Sequence, residues 1–269
     1  MAIEDAYELQ NYLPLSYMST KEQEYIAFLW DAFETNYNAA KYQFAFLAYH
    51  MLTMAFVYFN VWQIRQHRAG DFGMAMVGFN KDLEKELLDA TSPFTFWRVN
   101  ESGIMRFMKL IGCDNGKCGT YAKLVQDRNE TAHCNGNIFY SDADSLDEKI
   151  AEVLRVVDEI QKHSKPIIEE CYRSFLVENH DLNEREFTDP DDQIREILIH
   201  ANYFAQADID ICAGFDVTSL VGDPNYAGIQ ALHQALLDKY APPAGGVGLT
   251  AIAVPPAATP IATPPALEK

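Results

Sequence analysis

Positive charge is scarce in this chain: 21 Lys and Arg stand against 39 Asp and Glu, a formal net charge of −18. That balance is the opposite of a broad nucleic-acid-binding face, so any contact with an anionic polymer must be local. Cysteine is sparse too, five in 269 residues and an odd number, and no cationic segment with a following apolar run stands at the N-terminus. Neither secretion nor a disulfide framework is expected, and the thiols are expected to be reduced in a cytoplasmic setting. Strand-like alternation, a glycine-rich phosphate loop and a fixed-period repeat are all missing, which sets aside sheet folds, nucleotide-binding loops and solenoids. What is present is 48% hydrophobic residues, enough for one large core or two small ones. The class this predicts is all-α.

Charge is also missing locally, with no Asp, Glu, Lys or Arg between Lys41 and Arg65. That length is enough to cross a bilayer. Gln43, His50, Thr53, Asn60, Gln63 and several tyrosines fall inside it, however, and each needs a partner that lipid does not supply but a helical bundle does. A buried central helix is predicted, and no membrane contact. Upstream, Ser19-x-x-Glu22 reads as a capping box that starts a helix running toward Arg68. Downstream, Gly70, Gly73 and Gly78 loosen the pattern before a short amphipathic helix over Asn80 to Ala90. Ser92-Pro93 restarts the chain as N-cap and first helical residue. Gly112 to Gly119 reads as a turn, with Thr120 capping a helix that frays at Asn135-Gly136.

Ser145-x-x-Glu148 forms a second capping box, followed by the clearest periodicity in the chain, Leu146, Ile150, Val153, Val157 and Ile160. Pro166 is expected to kink or interrupt this helix near Lys165. From Glu178 to Glu196 eight acids face two bases, a solvated segment, and Asp189-Pro190 begins another helix. Short helices are expected over 193–207 and 226–240. The predicted organisation is a helical domain over 1–180, a helical extension over 181–240 and a disordered tail over 241–269, rich in Pro, Ala, Gly and Thr and without aromatics.

One stretch gathers reactive chemistry: Arg128-Asn129-Glu130-Thr131-Ala132-His133. A guanidinium binds phosphate oxygens in bidentate fashion, and an imidazole moves protons near neutral pH. Five helical positions turn through about 500°, leaving the two side chains about 140° apart. One helix therefore does not converge both on one phosphate, whereas a two-fold dimer brings two copies across a shared cleft. Asn129 and His133, four apart, share a helix face, which suits Asn129 to orienting the imidazole or binding phosphate. Between residues 98 and 128, Arg98, Arg106, Lys109, Lys117, Lys123 and Arg128 oppose only Glu101, Asp114 and Asp127, a candidate patch for an anionic polymer. Asp127 and Glu130 are expected to be solvated or paired with Lys123 and Arg128.

The motif resembles the Arg-x4-6-His signature of the HEPN superfamily. Asn129 matches the polar residue common after the arginine, Ala132 matches a small residue before the histidine, and a long amphipathic helix follows from Ser145. The resemblance covers roughly residues 20 to 180. It implies a helical bundle and a metal-independent endoribonuclease without a cofactor, cutting RNA by attack of the ribose 2′-hydroxyl on the neighbouring phosphate. Arg128, His133 and Asn129 are then the catalytic residues, and Lys117, Lys123, Lys109 and Arg106 candidate RNA contacts. A homodimer, a toxin or antiphage role and a possible antitoxin or regulatory partner are implied as well. Where toxins of the family that are silenced by nucleotidyl transfer carry a tyrosine two residues after the histidine, this chain has Asn135. A noncatalytic adaptor that binds RNA or a protein partner is the alternative.

Other constellations are weaker. Arg195 to His200 repeats the spacing with apolar residues between, an amphipathic helix, and Arg173 with His180 fits only the loosest form. Cys113-x4-Cys118 with Cys134 lacks a fourth zinc ligand, so unlinked thiols are expected.

Overall fold

The computed structural model describes residues 3–240 except 182. It is mostly helical, and no strand occurs among the described residues. In chain order the helices are α1 (Ile3–Ala6), α2 (Thr20–Asn38), α3 (Tyr42–His67), α4 (Ala69–Ala75), α5 (Lys81–Leu88), α6 (Glu101–Ile104), α7 (Asn115–Ala132), α8 (Ala143–Glu178), α9 (Pro190–Gln193), α10 (Gln206–Ala213) and α11 (Tyr226–Tyr240). Tight 3₁₀ segments at Tyr7–Tyr12, Pro93–Arg98, Met105–Ile111 and Val217–Leu220, and a π-helical segment at Ile194–His200, join them. The tail expected over 241–269 lies outside the described residues.

The long N-terminal helix expected from Ser19 to Arg68 is two helices. Ser19 caps α2 as expected, but Glu22 does not complete a capping box: it turns inward, accepting from Ser92 Oγ at 2.5 Å and from the Tyr203 hydroxyl at 2.9 and 3.1 Å. The break falls at Ala39–Lys41, where Ala40 takes the left-handed conformation (φ 55°) and Lys41 N–H bonds to Asn36 O at 2.8 Å. Folding back there lays α2 along α3 and buries Ile26, Leu29, Trp30 and Phe33. Each large side chain so buried contributes about 1.5–3 kcal/mol, enough to outweigh one strained residue.

α3 is the central helix, buried almost without a break from Ala45 to Ile64. By length and composition it could cross a membrane, and 83% of its most apolar window lies buried inside the fold. Its polar residues find partners there. Thr53 Oγ1 and Asn60 Nδ2 donate to carbonyls one turn back, Ser164 Oγ donates to Asn60 Oδ1 at 2.6 Å, and Gln63 Nε2 donates to Asp208 Oδ2 at 3.1 Å.

α8 crosses α3 with the Leu146 to Ile160 stripe fully buried. It starts at Ala143, not at Ser145: Asp142 is the cap, accepting from Ser145 N–H at 2.8 Å. Pro166 does not interrupt it. A proline removes one backbone hydrogen bond, and the buried stripe on both sides of it outweighs that loss. Pro166 instead marks the junction of two hydrophobic clusters, one ending at Ile167 apart from Tyr203, the other beginning at Ile168. The second takes in the last turns of α8 with α10 and α11. At the junction lies Asp208, whose oxygens accept from Gln161 Nε2 (2.6 Å), Gln63 Nε2 (3.1 Å) and Ala205 N–H (2.9 Å); burial pushes its carboxyl above the usual range.

The helix expected over 193–207 breaks instead at Tyr203 (φ 52°), which sends its ring into the core, and a separate helix, α10, follows. The glycine-bearing stretch after Arg68 is helical as α4, since its Phe72 is fully buried.

Candidate functional site

α7 carries the motif. It begins at Asn115, not at Thr120, because Asp114 is the better cap: its carboxylate accepts from Lys117 N–H at 2.8 Å, while Gly112 (φ 86°) supplies the turn before it. Tyr121, Leu124, Val125 and Thr131 are buried. Residues three and four apart share a helix face, so Arg128 stands in line with Leu124, Val125 and Thr131 and turns toward the fold, only 28% exposed. Its guanidinium forms an ion pair with Glu101 Oε2. The same oxygen accepts from His50 Nε2 at 2.9 Å, and His50, on α3, is 2% exposed. A histidine in the middle of an apolar helix thus has its partner, a carboxylate from α6.

Burial pushes the Glu101 carboxyl up, and the hydrogen bonds and charges of His50 and Arg128 more than reverse this, holding it at about 2. The site therefore carries an ionised carboxylate beside the guanidinium at every physiological pH. Arg128 Nε is buried and has no hydrogen-bond partner among the described residues.

Arg128 and Asn129 open on a cleft of about 400 Å³. Tyr58 of α3, Trp97, Val99 and Asn100 of the segment before α6, Glu101 and Ser102 of α6, and Val125 of α7 complete its lining. Burial first and the Glu101 charge second push the Tyr58 hydroxyl up, so it stays protonated. Trp97 is 64% exposed, an indole left open to solvent at the rim, with the Arg98 guanidinium 5.2 Å from its ring centre.

His133 does not join this cleft. It is the C-cap of α7 with extended backbone (φ −79°, ψ 144°), exposed, its N–H bonded to Asn129 O at 3.1 Å. Among the described residues no hydrogen bond or ion pair joins it to Arg128. The loop after it returns to the fold at Gln43, whose amide donates to Thr131 O at 2.8 Å and accepts from Phe139 N–H at 3.1 Å.

The remaining candidates separate in space. Lys117 forms an ion pair with Glu159 at 2.7 Å and lies 2.7 Å from His163 Nε2; Arg98 pairs with Glu86 at 3.0 Å. Lys109, Lys123 and Arg106 are exposed. The positive excess counted along residues 98 to 128 is thus offset by acids from α5 and α8. Asp127 pairs with Lys149 of α8, not with Lys123 or Arg128, and Glu130 accepts from Gln126 at 3.0 Å. In the repeated spacing, Arg195 pairs with Asp192 and Glu196 while His200 contacts Ser16 Oγ at 3.2 Å. The five thiols are unlinked, with Cys113 and Cys118 buried and Cys134 exposed. No group of three or more His, Cys, Asp or Glu suited to a metal ion occurs among the described residues.

Sequence reasoning missed Glu101, His50, Tyr58, Trp97, Asn100 and Ser102 as neighbours of Arg128. The one signal present was the demand of His50 for a partner. Compared with family models, curated proteins and solved structures, the chain matches none.

Proposed function

We propose that this protein is a metal-independent endoribonuclease of the HEPN type, acting as a homodimer in which Arg128 of one copy and His133 of the other meet on one RNA phosphate. The observation that supports it most is the division of the motif: Arg128 and Asn129 line a cleft, while His133 stands exposed at the helix end. Each chain offers half of the chemistry. Arg128 would stabilise charge building on the phosphate, His133 would move the proton of the 2′-hydroxyl or the leaving oxygen, and Asn129 would position the phosphate in the cleft. Exposed Lys109, Lys123 and Arg106 are the candidate RNA contacts, with Lys117 reaching RNA only by leaving Glu159. A role as a toxin or antiphage effector in the cytoplasm, restrained by a partner protein, belongs to the same proposal.

A noncatalytic adaptor is the second reading, favoured by one observation, the engagement of Arg128 by Glu101. The test is incubation of the purified protein with total RNA in excess chelator and identification of the fragment ends. Cleavage leaving 2′,3′-cyclic phosphate or its hydrolysed form, lowered about 100-fold or more by Arg128→Ala and by His133→Ala separately, supports the nuclease. Other ends would overturn the proposed mechanism, and intact RNA would turn the choice toward the adaptor.

A further inference from the structure

The cleft beside Arg128 holds more than a phosphate site needs. A guanidinium for an anion requires no indole, yet Trp97 lines the same space, with nearly two thirds of its surface open to solvent. The other two tryptophans, Trp30 and Trp62, are buried in the core. An exposed indole is costly in water, and a planar apolar face beside a cation is the arrangement that stacks an unpaired base while the cation holds its phosphate. The volume, about 400 Å³, falls in the range of small-ligand sites.

The polar groups around that face have a definite sense. The contacts of Glu101 with His50 and with Arg128 fall on Oε2, and the Glu101 carboxylate lines the cleft as an acceptor. Asn100 Oδ1 accepts from Gly103 N–H at 2.6 Å, so its amide nitrogen is the group to donate. Asn129 and Ser102 complete the lining. A carboxylate oxygen accepts from the exocyclic amine of adenine, cytosine or guanine without hindrance, whereas uracil offers it only an imino N3–H flanked by two carbonyl oxygens that repel it.

We propose that this cleft is a nucleobase subsite for single-stranded RNA, in which one unpaired amine-bearing base stacks on Trp97 and donates to the Glu101 carboxylate while its phosphate lies at Arg128. The proposal rests on RNA being the substrate class proposed above, and deepens it by fixing where one base sits and which bases fit. It does not depend on cleavage.

The experiment uses the full chain and short 2′-O-methyl oligonucleotides of A, C or U, which lack the attacking hydroxyl and cannot be cut by the proposed route. Binding is followed by tryptophan fluorescence, for which Trp97 is the accessible reporter, and independently by anisotropy of labelled oligonucleotide. The expected result is quenching by the A and C oligomers, with affinity about 5- to 100-fold above that of U. Trp97→Ala loses about 5- to 100-fold in affinity, Trp97→Phe keeps part of it, and Glu101→Gln narrows the difference between C and U. An unchanged circular dichroism spectrum shows that the variants fold.

Binding that Trp97→Ala leaves intact overturns the subsite, as does an absence of binding while RNA is still cut. A change in sedimentation mass on Trp97→Ala, with affinity unchanged, overturns it in favour of a protein contact at this surface. Quenching and base preference with no RNA cut under any condition supports the subsite and removes the nuclease.

Discussion

Glu101 is the residue on which the electrostatics of the proposed site turn. Burial disfavours its charge, and two donors, His50 and Arg128, win against that cost, so its carboxyl titrates at about 2 rather than at the ordinary 4.5. A folded-state value below the unfolded one adds stability that is present above about pH 4.5 and is lost as pH falls toward 2. At neutral pH the contribution is on the order of 3 kcal/mol at most, since a quarter of the side chain remains exposed. Glu101→Gln should lower the unfolding free energy at pH 7 by about 1–3 kcal/mol and flatten its decline between pH 5 and 2. Urea unfolding across that range measures both. Equal slopes in the two proteins would place the acid sensitivity on other carboxylates.

The helices follow from competition between local signals and burial. Where a local signal and burial agreed, the elements were legible: the Ser19 cap before α2, the amphipathic stretch of α5, Asp189-Pro190 at α9 and the Leu146 to Ile160 face of α8. Where they disagreed, burial won. Pro166 reads as a breaker, yet α8 passes through it, because the buried residues on either side hold the helix in place. The turn at Ala39–Lys41 was illegible for the opposite reason: it contains neither glycine nor proline, and only the need of α2 to lie against α3 makes it. That turn carries its own test. Ala40 sits at φ 55°, a conformation that costs an alanine about 1–2 kcal/mol and a glycine little. Ala40→Gly should raise stability by about 0.5–1 kcal/mol after the greater chain entropy of glycine is counted. A loss of stability in thermal or urea unfolding would mean that the turn is set by something other than this dihedral angle.

Legibility of the candidate site divides the same way. Periodicity, being local, makes the core face of α7 at Tyr121, Leu124 and Val125 legible, but not the inward turn of Arg128. Its neighbours Glu101, His50 and Trp97 come from separate elements, and only the tertiary fold brings them to it.

At the scale of the whole molecule, the net charge of −18 would confine the proposed RNA engagement to a small cationic area, and in the proposed nuclease the split motif would make catalysis depend on two copies. The second point has a direct readout. Arg128→Ala and His133→Ala are each expected to be inactive, but when the two are co-expressed, half of the dimers are mixed and each mixed dimer contains one intact Arg128–His133 pair. About a quarter of wild-type RNA cleavage should return. No recovery in dimers shown by mass to be mixed would place both residues of a working site on one chain.

The Gln43 amide has a mechanical consequence. One side chain on the rigid central helix grips the chain on both sides of His133, at Thr131 before it and at Phe139 after it. The imidazole is therefore carried on a short tether with both feet tied to the same post. Its range of motion is limited by that post rather than by the loose sequence between, so in the proposed dimer the surface histidine would keep a defined station.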